Sequence, residues 1–296
     1  MRVAAGASAP ATAGSRLVAW GLVVAASLLV PAHAAHASAM TAAAPPEFAD
    51  SERVALSYDA YFGPLRLLSV ATSSVVNEND YAMQVTMRTE GIVRLLFPWT
   101  AVSTSQGVVR SSRLCPVHHR IDSNYRGASS RIDLRYREDG HVELTAEPSP
   151  SEPPREEVAP ALQRETVDPL TATIALVRAN AAGEPCNETW HIFDGRARYD
   201  LRFADLGQTI VEPARGARYH GPAHLCEATV DPIAGFLESN DEDRDKPSKL
   251  RYWLAPVLAG VRPMPVLLEL SGARGALQIY LTDARAGDAA PGIALR

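Results

Sequence analysis

Lysine is nearly absent from this chain. Of 29 basic residues only Lys246 and Lys249 are lysine, and 34 acidic residues leave a formal net charge of −5. An acidic chain without a lysine-rich stretch argues against non-specific nucleic-acid binding. Cysteine is scarce as well, with three residues in 296. The sequence contains no Gly-x-Ser-x-Gly, no His-Glu-x-x-His, no phosphate-cradling glycine loop and no Cys-x-x-Cys. Those absences remove the motif-borne hydrolases, zinc proteases, nucleotide enzymes and dithiol oxidoreductases. No cofactor is expected.

The amino terminus reads as a secretory signal. Arg2 and Arg16 precede the apolar run Leu17–Val30, and Ala32-His33-Ala34 and Ala37-Ser38-Ala39 both fit a small-x-small cleavage site. That run has 14 residues, short of the roughly 20 that span a membrane. No cysteine follows the cleavage region, which argues against a lipoprotein anchor there. Residues 1–39 are therefore expected to be removed and the mature chain to be periplasmic, with a retained anchor as the alternative. Removal takes two arginines and no acids, so 27 − 34 gives −7.

Export places Cys115, Cys186 and Cys226 in an oxidising compartment, where two can pair. Cys186 and Cys226 are the expected pair. Each sits just before a strand or helix of the carboxy-terminal half, and Cys186 is expected to point inward. Cys115 is left as a buried, inert thiol.

The segment Thr189–Phe203 makes the clearest structural statement. Asp194-Gly195 divides two strand-like runs, a strong hairpin signal. A two-residue turn sets Phe193 against Arg196 and Trp190 against Tyr199. One face then carries Trp190, Ile192, Ala197, Tyr199, Leu201 and Phe203, and the other His191, Arg196, Arg198, Asp200 and Arg202. His191 belongs to the wet face as a surface histidine.

Elsewhere period-two alternation predicts strands over Arg53–Phe62, Leu65–Val76, Tyr81–Met87, Ser103–Arg113, Arg131–Arg137, His141–Ala146, Leu250–Pro256, Pro265–Leu270 and Ala276–Leu281. Asp168-Pro169 opens a helix with an apolar stripe at Leu170, Ile174 and Val177. Val230-Asp231-Pro232 echoes that opening and suggests a second turn or helix start of similar geometry. Gly91–Trp99 is an apolar, helical or irregular patch. It reads either as a core plug closing one end of a sheet or as a lip that touches lipid or a partner. The arginines around 110–137 read as a solvated outer face. The organisation expected is a flexible leader at 40–52, one β-rich domain over 53–283 with an exposed proline-rich loop at 147–164, and a disordered tail at 284–296. The fold class is mostly β: a curved antiparallel sheet or half-open barrel with one or two short helices.

His118-His119 and His220-x-x-x-His224-x-Cys226 are the metal-like groupings. No metal site is expected, because a zinc site wants three or four ligands and Cys226 is committed to the disulfide. Asp194, Asp200 and Asp205 are candidate paired carboxylates. The turn accounts for Asp194, and Arg198 and Arg202 account for Asp200.

Val167-Asp168-Pro169-Leu170, the stretch Phe193-Asp194-Gly195-Arg196-Ala197-Arg198-Tyr199-Asp200-Leu201, and Cys226 followed by Pro232-Ile233-Ala234-Gly235-Phe236 together resemble a secreted bacterial family, domain of unknown function 3108. The resemblance covers roughly residues 53–283. It implies an exported, β-rich, envelope-associated protein and brings no catalytic residues. Two functions remain. One is a non-catalytic carrier of an apolar or lipid-like molecule, with Leu95, Phe97, Trp99, Trp190, Tyr199 and Phe203 lining or covering the cavity. The other is an envelope scaffold or assembly factor with a filled core and an envelope protein as partner. Peripheral membrane contact fits either, and a hydrolase is the outsider.

Overall fold

Alternating apolar residues build strands, and this chain alternates almost throughout. The computed structural model describes residues 51–148, 156–214, 216–236, 248–272 and 275–287. The expected signal 1–39, residues 40–50 of the leader and residues 288–296 of the tail lie outside the described residues. The first arm runs β1 (Ser51–Phe62), β2 (Leu65–Asn77), β3 (Asp80–Thr89), α1 (Gly91–Leu96), β4 (Trp99–Arg110), β5 (Arg113–Tyr125), β6 (Ala128–Tyr136) and β7 (Val142–Glu147). Two helices follow, α2 (Pro160–Gln163) and α3 (Pro169–Ala181). The second arm is β8 (Thr189–Phe193), β9 (Arg198–Val211), β10 (Gly221–Ala234), β11 (Ser248–Ala255), β12 (Met264–Gly272) and β13 (Gly275–Ala286).

The thirteen strands form one antiparallel sheet, in the order β7-β6-β5-β4-β3-β2-β1-β13-β12-β11-β10-β9-β8. Each arm is a meander, and the two join where β1 pairs with β13. The sheet is not closed, because β7 and β8 remain its edges. The chain between the arms bridges that gap. Glu165 N donates to Gly140 O at 3.1 Å, and Val167 pairs in parallel with Ile192. Ile132, Leu134 and Val142 of one edge pack with Val158, Phe193 and Ala234 from the other side. At Gly195, with φ of +86°, a Cβ would strike Ile132, so glycine permits this approach.

The hairpin at 194–197 has a four-residue connection. Asp194 Oδ1 accepts from the amides of Arg196 and Ala197, both at 2.8 Å. Phe193 therefore opposes Arg198, and Trp190 opposes Leu201. The register is displaced by two residues from the expected one, and an even displacement leaves both faces intact.

Other expectations are corrected. β5 and β10 were not foreseen as strands. In β5 a bulge at Val117, opposite Gln106 and Gly107, throws Val117 outward and interrupts the alternation. His118 and His119 thus lie in a strand. Val230-Asp231-Pro232 is strand with a bulge at Pro232–Ala234, not a helix start. Glu52 belongs to β1 and is buried, so the leader is shorter than expected, and β13 extends through Ala286 into the expected tail. Residues 149–155 of the proline-rich loop lie outside the described residues, and its end is not exposed throughout: Val158 is buried and Gln163 Nε2 donates to Val158 O at 2.7 Å. Cys115 is half-buried.

Cys186 and Cys226 form a disulfide, both sulfurs in the main core. It ties the loop before β8 to β10 across 40 residues. On the chain-entropy estimate the cross-link stabilises by about 4 kcal/mol. Replacing both cysteines by serine should lower urea-unfolding stability by most of that amount. A loss below about 1 kcal/mol would contradict an entropic cross-link of this span.

Candidate functional site

Helix α3 lies against the inner face of the sheet, and a buried polar cluster fixes its first turn there. Asp168 is the N-cap: its Oδ1 accepts from Leu170 N at 2.9 Å and Thr171 N at 3.0 Å. Its Oδ2 accepts from Thr171 Oγ1 at 2.6 Å and from Ser105 Oγ of β4 at 2.8 Å. Thr171 Oγ1 also meets Tyr81 Oη of β3 at 2.7 Å. His119 Nδ1 of β5 stands 3.3 Å from Asp168 Oδ1, in ion-pair range. Three adjacent strands thus hold one helix end. Gly107 is required beside them, since a Cβ there would collide with Tyr81 Oη and the Cys115 carbonyl. Burial acts to raise the Asp168 pKa, but His119 beside it and the bonds from Thr171 outweigh that and hold it below the usual carboxylate value.

So fixed, α3 presents Leu170, Thr173, Ile174, Val177 and Arg178 to a cavity of about 220 Å³. The opposite wall comes from inner-face residues of β1–β3, β12 and β13, including Leu56, Val70, Val85, Met87 and Ile279. The lining is mostly apolar, with Thr72 and Thr173 among its residues, and is charged near one mouth, where β1 begins and β2 ends. There Glu52 Oε2 accepts from Arg262 Nη1 at 2.9 Å, beside Arg178. The apolar stripes legible in the sequence (Leu56 and Tyr58; Met83, Val85 and Met87; Leu170, Ile174 and Val177) are the walls of this cavity.

None of the six residues expected at a cavity or lid lines it. Phe203 is buried in the main core, with Trp190 and Tyr199 packed on it. Trp190 also borders a separate polar cleft with His191. Trp99 opens β4 and is half-buried. Leu95 and Phe97 sit on α1 and its end, which bury no residue: Leu95 is 83% exposed and Phe97 53%. The core-plug reading of Gly91–Trp99 is overturned, and the patch is an exposed lip.

Each acid–base candidate has hydrogen-bond partners within the fold. Asp200 accepts from Arg198 at 2.6 Å and meets His191 Nδ1 at 2.6 Å. Burial works to raise its pKa, and these two partners bring it below the ordinary value. Asp205 binds the Gly207 amide and His224 Nε2. His224 stands near Cys186 and Cys226, whose sulfurs are joined to each other. On the outer face Arg120 and Arg131 share Asp122, and Arg137 pairs with Glu143, as expected of a solvated arginine face.

Residues 57–282 match the family described as protein of unknown function (DUF3108). The chain belongs to this family. No curated protein matches the DUF3108 chain. Among solved structures it is similar to a β-barrel-like protein of domain of unknown function DUF1849 from Brucella abortus. The identity is 12%, the TM-score 0.46, and the match covers 80% of this chain and 98% of that one. A putative lipoprotein from Parabacteroides distasonis matches at 11% identity and TM-score 0.29, over 80% of this chain and 97% of that one.

The Asp168 cluster has a pH consequence. A carboxyl whose pKa is lower folded than unfolded contributes stability above its unfolded value, near 4, and loses it as pH falls through the folded value. Asp168→Ala should cost about 3 kcal/mol or more at pH 7, by loss of the cap and of the buried partners' acceptor. Asp168→Asn keeps the cap and should cost less, with a shallower loss of stability in acid. Urea melts from pH 3 to 7 test this, and equal acid slopes for wild type and Asp168→Asn would refute the assignment.

Proposed function

We propose that this DUF3108 protein is an exported, non-catalytic envelope protein that binds an apolar, lipid-like ligand between α3 and the inner face of the sheet. The cavity is the observation behind this reading. An apolar cavity of about 150 Å³ already takes benzene, whereas drug-sized pockets run from about 300 Å³. At about 220 Å³ the space suits part of an acyl chain rather than a whole lipid. Export rests on the signal-like amino terminus, and the disulfide is consistent with an oxidising compartment.

Native mass spectrometry of detergent-free protein is the direct test, with co-purified lipid expected. Val85→Phe or Ile174→Phe should fill the cavity and weaken binding of the neutral fluorophore N-phenyl-1-naphthylamine by roughly tenfold, at an overpacking cost of about 1–3 kcal/mol. Unchanged fluorophore binding by both variants, each folded by circular dichroism, would refute the site.

A second reading, a protein that works through its surface, draws on the lip. Ile92, Leu95, Leu96 and Phe97 are all more than half exposed. Arg94 shares the helix, and Arg126 lies 6.0 Å over the Phe97 ring. An apolar tip with flanking cations fits peripheral contact with a membrane. Leu95→Asp with Phe97→Asp should abolish sedimentation with phosphatidylglycerol vesicles; sedimentation equal to wild type would remove this reading.

A further inference from the structure

We propose that the ligand is an anionic single-chain amphiphile, its acidic headgroup held by Arg178 at the cavity mouth and its tail lying between α3 and β1–β3. This inference rests on the cavity reading above and adds the class of ligand. The cavity is apolar along most of its length and charged at one mouth. There Arg178, Arg262 and Glu52 supply two cations and one anion. Arg262 is paired with Glu52, so Arg178 is the cation at the mouth available to a ligand. Among the described residues the Arg178 side chain makes no hydrogen bond or ion pair. It is half-buried on the third turn of α3, one residue after Val177 of the cavity wall.

Arg178 stands in a partly dry site within reach of the Arg262 charge, and burial of an unpaired guanidinium is unfavourable. Burial and, after it, the charge of Arg262 push Arg178 below its ordinary pKa. An incoming carboxylate or phosphate offsets both and accepts hydrogen bonds from Arg178, in the fork geometry that suits either anion. The arrangement also orients the ligand. Val76, Ser74 and Glu52 stand at the charged mouth, whereas Val70 and Met87 lie several residues further along the same paired strands. A tail entering past the arginines therefore runs along the apolar stripes of β2 and β3.

The test compares dodecanoate, dodecanol and a dodecyl lysophosphatidic acid by isothermal titration and by displacement of the neutral fluorophore. The expected result is that one or both acids bind at least roughly tenfold tighter than the alcohol. Preference between the two acids identifies carboxylate or phosphate as the headgroup. Arg178→Gln should bring the acid down to the affinity of the alcohol, and Arg178→Lys should restore part of the difference. Thermal melts of both variants check that the fold persists. Equal affinity of acid and alcohol for wild type would overturn the headgroup assignment while leaving the cavity reading standing. Failure of all three amphiphiles and the fluorophore to bind would overturn both.

Discussion

A single buried carboxylate decides how this protein is arranged inside. Asp168 has no solvent exposure, caps α3 and accepts hydrogen bonds from two hydroxyls, one on β4 and one on the helix itself. A carboxylate in an apolar interior is costly unless every lone pair has a partner. Ser105 of β4 and the first turn of α3 supply those partners, Tyr81 of β3 bonds Thr171 and His119 of β5 stands beside the carboxylate, so the helix has one place to sit. Loss of any member leaves a buried polar atom without its counterpart.

The position of α3 creates the cavity. A thirteen-stranded sheet that curves without closing leaves an inner face too broad for its own side chains to fill. The helix covers part of that face, and its Leu170–Ile174–Val177 stripe meets the sheet at a distance that leaves space beside β1–β3. The same connecting segment seals the open edge, through Glu165 and Val167. One stretch of chain thereby caps a helix, bridges two sheet edges and sets the height of a ligand site.

The outer face follows a simpler logic. Arginines and acids alternate on neighbouring strands and pair across them, as in the Arg120–Asp122–Arg131 group. Exposed pairs of this kind contribute little stability, about 0–1 kcal/mol each. Their effect is to hydrate the outer face of a long sheet. Arg178 differs because it is half-buried between the apolar cavity and the polar cleft and lacks an acid of its own among the described residues.

The sequence by itself determined most of the strands, most of their faces and the capped helix, because each follows from alternation or a cap within one local stretch, and it pointed to the disulfide partners across 40 residues from their placement before predicted elements. Faces survived even where the hairpin register moved, since a displacement of two residues preserves parity. β5 and β10 escaped because bulges and prolines interrupt the alternation that reveals strands. Only the tertiary structure decided which apolar stripes surround space and which are packed solid. Trp190, Tyr199 and Phe203 look as suited to a cavity as Val70, Met87 and Ile174, yet the first group is filled in by the disulfide-bearing core. The difference lies in where α3 stands. That is fixed by contacts from Asp168 to Ser105 and His119, 63 and 49 residues away along the chain, which no local pattern encodes.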